Sequence, residues 1–233
     1  MAVLLLRLCG PMQSWGTQSR FTNRDTELEP SKSGVVGLLC AALGRPRHKP
    51  LDDLAALKMG VRVDREGVMR RDYHTALDVA KAGGGIKDCE PSERFYLADA
   101  CFLVALAGDI ALLQKLDGAL RHPVWQLYLG RKSFVPALPV WLPDGLQTDA
   151  DEPKSALSAY PYLCRVPYPD RAPDYLRLEL EVDYGKGERI KHDQPVSFQN
   201  HHRQFHVRHV VTDWVDYQSL PRAEKEELCT CLA

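Results

Sequence analysis

The sequence is short of the features that would assign it quickly. It has no run approaching the roughly 20 apolar residues that span a membrane. Its apolar opening, MAVLLLRLCG, lacks a basic start and is interrupted by Arg7, so it reads as a buried first strand rather than a targeting segment. It has no excess of charge: 30 Lys and Arg against 31 Asp and Glu leave a net charge of −1. Any basic surface for nucleic acid must therefore be local. It has no C-x-x-C pair, and its seven scattered cysteines suit a reducing cytoplasm better than a disulfide framework. Internal repeats, low-complexity tracts, a nucleophile-elbow serine and a carboxylate cluster for two metals are all missing.

What is present is an ordinary globular composition of 233 residues, 45% hydrophobic and 26% charged, enough for one large domain or two small ones. Ala2 to Cys9 reads as a strand stopped by Gly10-Pro11. A polar loop of about 20 residues follows, longer than a connector needs. Pro30-Ser31 opens a helix that Gly44 and Pro46 end, and Leu51 to Met59 reads as a second short helix. Gly60 to Asp64 and Val68 to His74 read as strands joined by a hairpin at Arg65-Glu66-Gly67. Ala76 to Tyr96 has weak periodicity around Gly83-Gly84-Gly85 and suggests a protruding arm. Ala98 to Ala107 is a strongly apolar strand, and Asp109 to Leu120 a helix with an aspartate cap.

The order β, α, β, β, β, α suits an α+β fold, a ferredoxin-like sandwich with a hairpin extension. From Leu138 prolines accumulate. YLRLELEVDY and FHVRHVV then alternate as strands, and Arg222 to Cys231 suggests a closing helix. The expected division is residues 1–137 and a β-rich region 138–233.

Four stretches carry chemistry. Gly130-Arg131-Lys132-Ser133 looks like the end of a nucleotide-binding P-loop, but Arg131 separates Gly130 from Lys132, Trp125 stands where a glycine is needed, and Pro136 and Pro139 forbid a following helix. A tight turn presenting two cations and a hydroxyl remains, either a phosphate contact or a solvated loop. Ser31, Lys32 and Ser33 start a helix, so they form an anion site or simply a cap. RRDYHT joins Arg70, Arg71, Tyr73 and His74; cations with an aromatic suit RNA, and Tyr73 with His74 also suits acid–base cleavage, or the segment only alternates between two strand faces. NHHRQFHVRH invites a zinc reading with Cys229 and Cys231. As a strand, however, it sets His202 and His206 too far apart to share a metal, and a basic edge with Arg203 and Arg208 fits better.

Together and in this order, GPMQSWG (10–16), PSKSGVVGLLCAALG (30–44), RDYHT (71–75), ADACFLVAL (98–106), LYLGRKSFVP (127–136) and RQFHVRHV (203–210) resemble the CasD family. This is the backbone subunit of the type I-E CRISPR Cascade complex that binds the crRNA 5′ handle. The resemblance implies a ferredoxin-like (RRM-type) domain with a β-hairpin thumb at about 76–96 and a smaller C-terminal β-rich region. It implies crRNA-handle binding and capping in antiviral defence, contacts with other backbone subunits and the large subunit, target DNA met only through the complex, and no membrane, cofactor or metal. It implies no catalysis, although the related type I-C subunit cuts precursor RNA. The expected phosphate contacts are Lys32, Arg70, Arg71, Arg131, Lys132, Arg203 and Arg208, with Ser33 and Ser133 beside them. Tyr73 and His74 are expected at bases, and Trp15 stands either as a base contact or as core.

Overall fold

The computed structural model describes residues 1–18, 22–165 and 172–222. In chain order these form β1 (Ala2–Cys9), β2 (Met12–Gln13), β3 (Asn23–Arg24), α1 (Lys32–Leu43), α2 (Asp52–Ala55), β4 (Lys58–Arg65), β5 (Val68–Ala80), β6 (Ile86–Ala98), β7 (Cys101–Gly108), α3 (Ile110–Arg121), β8 (Trp141–Gln147), α4 (Pro153–Ala159), β9 (Tyr175–Val182), β10 (Arg189–Ser197) and β11 (Gln204–Asp216). The result is a mixed α/β protein built on antiparallel sheet. The main sheet has seven strands in the order β10-β11-β9-β4-β7-β1-β8.

The apolar opening run is explained by its position. β1 lies between β7 and β8 and is buried at all eight residues. Alternation then feeds two cores. Leu4, Leu6 and Leu8 join α1 and α3 on one face of the sheet, whereas Val3, Leu5 and Cys9 join α4 and β9 on the other. Arg7, the one charge in the run, donates its guanidinium to the Pro139 carbonyl at 3.2 and 3.3 Å.

Both long helices start and stop as their sequences dictate. Ser31 Oγ accepts from the Gly34 amide and Asp109 from the Leu112 amide, each satisfying a first-turn donor. Gly44 ends α1 at φ +64.

Two expectations fail for tertiary reasons. The helix expected over Leu51–Met59 stops at Ala55, because Lys58 onward is taken into the sheet, with Met59 opposite Leu106. The turn at residues 65–67 does not make a hairpin. β4 is already flanked by β7 and β9, so β5 has no edge to join and pairs with β6 instead. Gly67, at φ +73, turns the chain out of the sheet; a Cβ there would meet the Ala98 carbonyl oxygen at 2.5 Å.

The protruding arm is a regular two-stranded ribbon, longer than expected. Its register runs from Val68↔Ala98 to Ala80↔Ile86. β5 is exposed along nearly its whole length, so neither of its faces demands apolar alternation, and its sequence looked patternless. Residues past 138 do not form a separate sheet: β8 pairs with β1, and β9 pairs with β4. β10 and α4 were not anticipated. Pro153 starts α4, and Pro195 is tolerated because β10 is an edge strand. The helix expected over Arg222 to Cys231 lies, apart from its first residue, outside the described residues.

Candidate nucleic-acid interface

A groove of about 530 Å³ opens beside α1. Its floor is made of small residues on the helix, Ser33, Gly34, Gly37 and Ala41. One wall comes from the loop carrying Trp125, Tyr128, Gly130 and Arg131, and the other from Phe198, Arg203 and Phe205 around the β10–β11 turn. Arg24, Arg45 and Arg47 rim it. Trp125 is 47% exposed and Phe205 42%, so both rings are available for stacking.

The Gly130-Arg131-Lys132-Ser133 loop is locked against the segment after β1. Leu129 donates to the Phe134 carbonyl and accepts from the Ser14 amide, and the Phe134 amide closes the turn on Arg131 O at 2.8 Å. Gly130 sits at φ +89 against the Ser14 carbonyl, where no side chain fits. No helix follows, so the loop is not a P-loop. Arg131 points toward the base of the β5–β6 ribbon. Its guanidinium donates to Phe95 O at 2.9 Å and Arg24 O at 3.3 Å and lies over the Phe134 ring. Burial, then repulsion from Arg94 and Arg24, hold its pKa below the usual arginine value, partly offset by Asp72 and Asp25. Arg24, Arg94 and Arg131 form no ion pair with a described carboxylate. Three guanidiniums thus crowd together without a direct carboxylate ion pair, Asp72 and Asp25 offsetting Arg131 only in part, and the arrangement favours an anion.

The sequence-expected contacts fall into three groups. Ser33, Arg131 and Arg203 line the groove, with Lys132 and Ser133 exposed on the same loop as Arg131. Arg70, Arg71, Tyr73 and His74 are exposed on β5 and do not line the groove, and Arg71 is engaged with Glu93 at 2.9 Å.

Trp15, Lys32 and Arg208 are interior, and here the expectation is corrected. Trp15 is 1% exposed; it packs against Gly34 and donates its indole N–H to Gln13, so of its two readings the core one holds. Lys32 is buried and its ammonium meets Glu181 at 2.8 Å. Burial pulls its pKa down and Glu181 resists. The anion site at the start of α1 is already filled: the Lys32 amide donates to Asp193 Oδ2 at 2.8 Å. Arg208 is likewise buried, holding both oxygens of Asp193 at 2.7 and 3.0 Å.

Lys32, Asp193 and Arg208 belong to a buried ionic layer between α1 and β9–β11 that also contains Glu29, Glu179, Glu181 and Lys191. Lys191 bridges the two glutamates at 2.5 and 2.7 Å. Burial, then the hydrogen bond with Glu29, pushes Glu179 up to about 7. Burial opposes ionisation of Glu29 too, but the same hydrogen bond and Lys191 hold it down at about 2.

Sequence reasoning missed Arg24, Arg47, Trp125, Tyr128 and Phe205. Trp125 precedes LYLGRKSFVP, Tyr128 lies inside it and Phe205 lies inside RQFHVRHV; aromatics close in sequence to cations are the signal available for them. Among the described residues, no three His, Cys, Asp or Glu side chains gather as metal ligands. Cys229 and Cys231 lie outside the described residues. No helix among the described residues is long and apolar enough to cross a membrane.

Comparison with known proteins accords with this geometry. A family model described as CRISPR-associated protein (Cas_Cas5) matches residues 3–211. The CRISPR system Cascade subunit CasD of Escherichia coli (strain K12) is 36% identical over 176 residues, covering 67% of this chain and 76% of that protein. A crystal structure of a Cas protein is 44% identical with a TM-score of 0.76, over 95% of this chain and 98% of the other. A chain of a CRISPR RNA-guided surveillance complex is 35% identical with a TM-score of 0.78, over 97% and 95%. This chain therefore belongs to the CRISPR-associated Cas5 family, as its resemblance to CasD implied.

Proposed function

We propose that this chain is a non-catalytic RNA-binding subunit of a type I-E CRISPR surveillance complex. It binds and caps the 5′ handle of crRNA in antiviral defence and foreign-DNA interference. It works in the cytoplasm beside other backbone subunits and the large subunit, and meets target DNA only through the assembled complex. The observation that carries this reading is the groove: Arg24, Arg131 and Arg203 line it with Asp25 as the one lining carboxylate among the described residues, Arg94 crowds Arg131 beside it, and Trp125 and Phe205 are exposed along it. Phosphates satisfy the guanidiniums, and unstacked bases satisfy the rings; single-stranded RNA offers both.

The surroundings support it. The strand order β4-β7-β1-β8, within β1-α1-β4-β7-α3-β8, supports a ferredoxin-like (RRM-type) unit, and it draws in β8, which lies past the expected boundary at residue 137. The β5–β6 ribbon is its thumb, and Arg131 ties the groove to the thumb's base. The ribbon presents Arg70, Arg71, Tyr73 and His74 to RNA leaving the groove. The β-rich region, expected over 138–233, is represented among the described residues by β9, β10 and β11.

Cleavage is disfavoured by the ribbon's regularity. Tyr73 pairs with Glu93 and His74 with Ser92, so the two side chains point to opposite faces and do not converge on one 2′-hydroxyl.

Titration of the purified protein with labelled repeat RNA tests the reading. Binding without cleavage is expected. Arg131→Ala with Lys132→Ala should flatten the slope of log K against log salt by about 1.4, at about 0.7 per single-strand phosphate contact. Metal-independent cutting abolished by Tyr73→Phe with His74→Ala would overturn the non-catalytic assignment, and an unchanged salt slope would remove the loop from the phosphate contacts.

A further inference from the structure

Lys32 and Arg208 fall within two of the segments that resemble the CasD family, yet neither can reach a ligand. Both converge on Asp193, which is fully buried. Asp193 Oδ2 takes the Lys32 backbone amide, and its two oxygens take the Arg208 guanidinium. The three elements it joins are also the ones that shape the groove. α1 supplies the floor from Ser33, the residue next to Lys32. β10, which carries Asp193, runs into Phe198, and β11, which carries Arg208, starts just after Arg203 and contains Phe205.

We propose that Asp193 is a positioning residue: from beneath the groove it fastens the α1 floor to the β10–β11 wall and so sets the spacing of the RNA contacts. A charged strut suits the task better than apolar packing. Apolar surfaces slide at little cost, whereas a bidentate carboxylate–guanidinium pair capped by a helix amide has one low-energy geometry. Loss of the charge leaves Arg208 buried with Glu179 at 3.4 Å as its remaining ion pair and Glu181 acting from farther off, and frees the wall to shift against the floor. Lys32 and Arg208 thus act on RNA through Asp193 rather than by touching it. For its RNA readout the proposal rests on the function given above.

The test compares Asp193→Asn with Asp64→Asn in the full chain. Asp64 forms an equally buried pair with Arg62, at 2.6 and 2.9 Å, but on the opposite face of the sheet, where Arg62 also holds the Tyr160 carbonyl near the end of α4. Both substitutions should lower the melting temperature. Only Asp193→Asn should accelerate amide hydrogen exchange at Ser33–Gly34 and Gln204–Phe205 in the free protein. Only it should weaken repeat-RNA binding, by about tenfold, with the salt slope unchanged because no phosphate contact is removed. Exchange at those sites no faster than in Asp64→Asn, or RNA affinity equal in the two variants, would overturn the strut. If the wild-type chain fails to bind RNA, the functional reading fails, and the exchange comparison still decides the role of Asp193.

Discussion

Gly130→Ala is the sharpest single perturbation of the groove. At φ +89 an L-residue is strained by about 1–2 kcal/mol. A Cβ there would also lie 1.7 Å from the Ser14 carbonyl oxygen and 2.8 Å from its carbon. Both are backbone atoms, so no rotamer change relieves the contact. The two segments must part by roughly 1.3 Å to reach the 3.0 Å floor of real Cβ contacts. That movement strains the 3.1 Å bond from the Ser14 amide to Leu129 O, at about 1 kcal/mol. The whole effect is about 2–4 kcal/mol, which for a chain of this size lowers Tm by about 5–15 °C. Calorimetry reads the melt, and RNA titration reads the displaced Arg131. Gly84→Ala separates the two causes. Gly84 has φ +88 at the tip of the β5–β6 ribbon with open space around it, so only conformational strain applies. A Gly130→Ala protein that melts within about 2 °C of wild type, or no lower than Gly84→Ala, would refute the clash argument.

Three further outcomes are expected. Trp125→Ala and Phe205→Ala should each weaken repeat-RNA binding by about 1–3 kcal/mol while leaving the salt slope alone, since stacking releases no counterions; a flattened slope in either titration would contradict the stacking role. Glu179, raised from 4.5 to about 7 in the fold, binds its proton more tightly folded than unfolded, so stability should fall as pH rises from about 4.5 to 7 and level off above. Glu29, lowered to about 2, gives the opposite slope below 4.5. Glu179→Gln should flatten the decline of Tm between pH 5 and 7, and an unaltered decline would place its cause elsewhere. Lys32→Ala leaves Glu181 half-interior without its cation and should cost about 3–5 kcal/mol in urea unfolding. The exposed Arg203→Ala should cost almost nothing in stability yet weaken RNA binding, and equal destabilisation by the two would contradict the buried assignment of Lys32.

How much could be read from the sequence depends on how far apart the determinants lie. β1, α1 and α3 were legible because their evidence is local: an apolar run closed by Gly-Pro, a serine cap with a glycine stop, an aspartate cap. Gly60–Asp64 and Val68–His74 were legible as strands too, but their pairing was not, because it turns on which strand edges are already occupied. Lys32 looked like an anion contact because serines flank it, while the groups that neutralise it, Glu181 and Asp193, lie 149 and 161 positions away. The groove has the same problem. Trp125 and Phe205 are 80 positions apart, and nothing near either one in sequence announces the other.

The near-zero net charge is consistent with an RNA groove once the pairing is traced. Of the buried acids, Glu29, Glu179 and Asp193 are spent on Lys191, Arg177, Arg189 and Arg208, and Asp64 on Arg62. These groups offset most of one another's charge, four cations to three acids in the first set and one to one in the second, and so add little to the field at the surface. Several solvent-facing acids are also claimed by nearby cations, Asp53 by Arg45, Asp183 by Lys186 and Asp213 by Lys154. Arg24, Arg94 and Arg131 have no such partner. A total of −1 therefore coexists with an excess of arginine over carboxylate along the groove, because the sum weighs every charge alike whereas close ion pairs add little to the field at the groove. The cations that matter for binding are those that the fold leaves uncompensated, and sequence alone cannot separate them from the cations it buries.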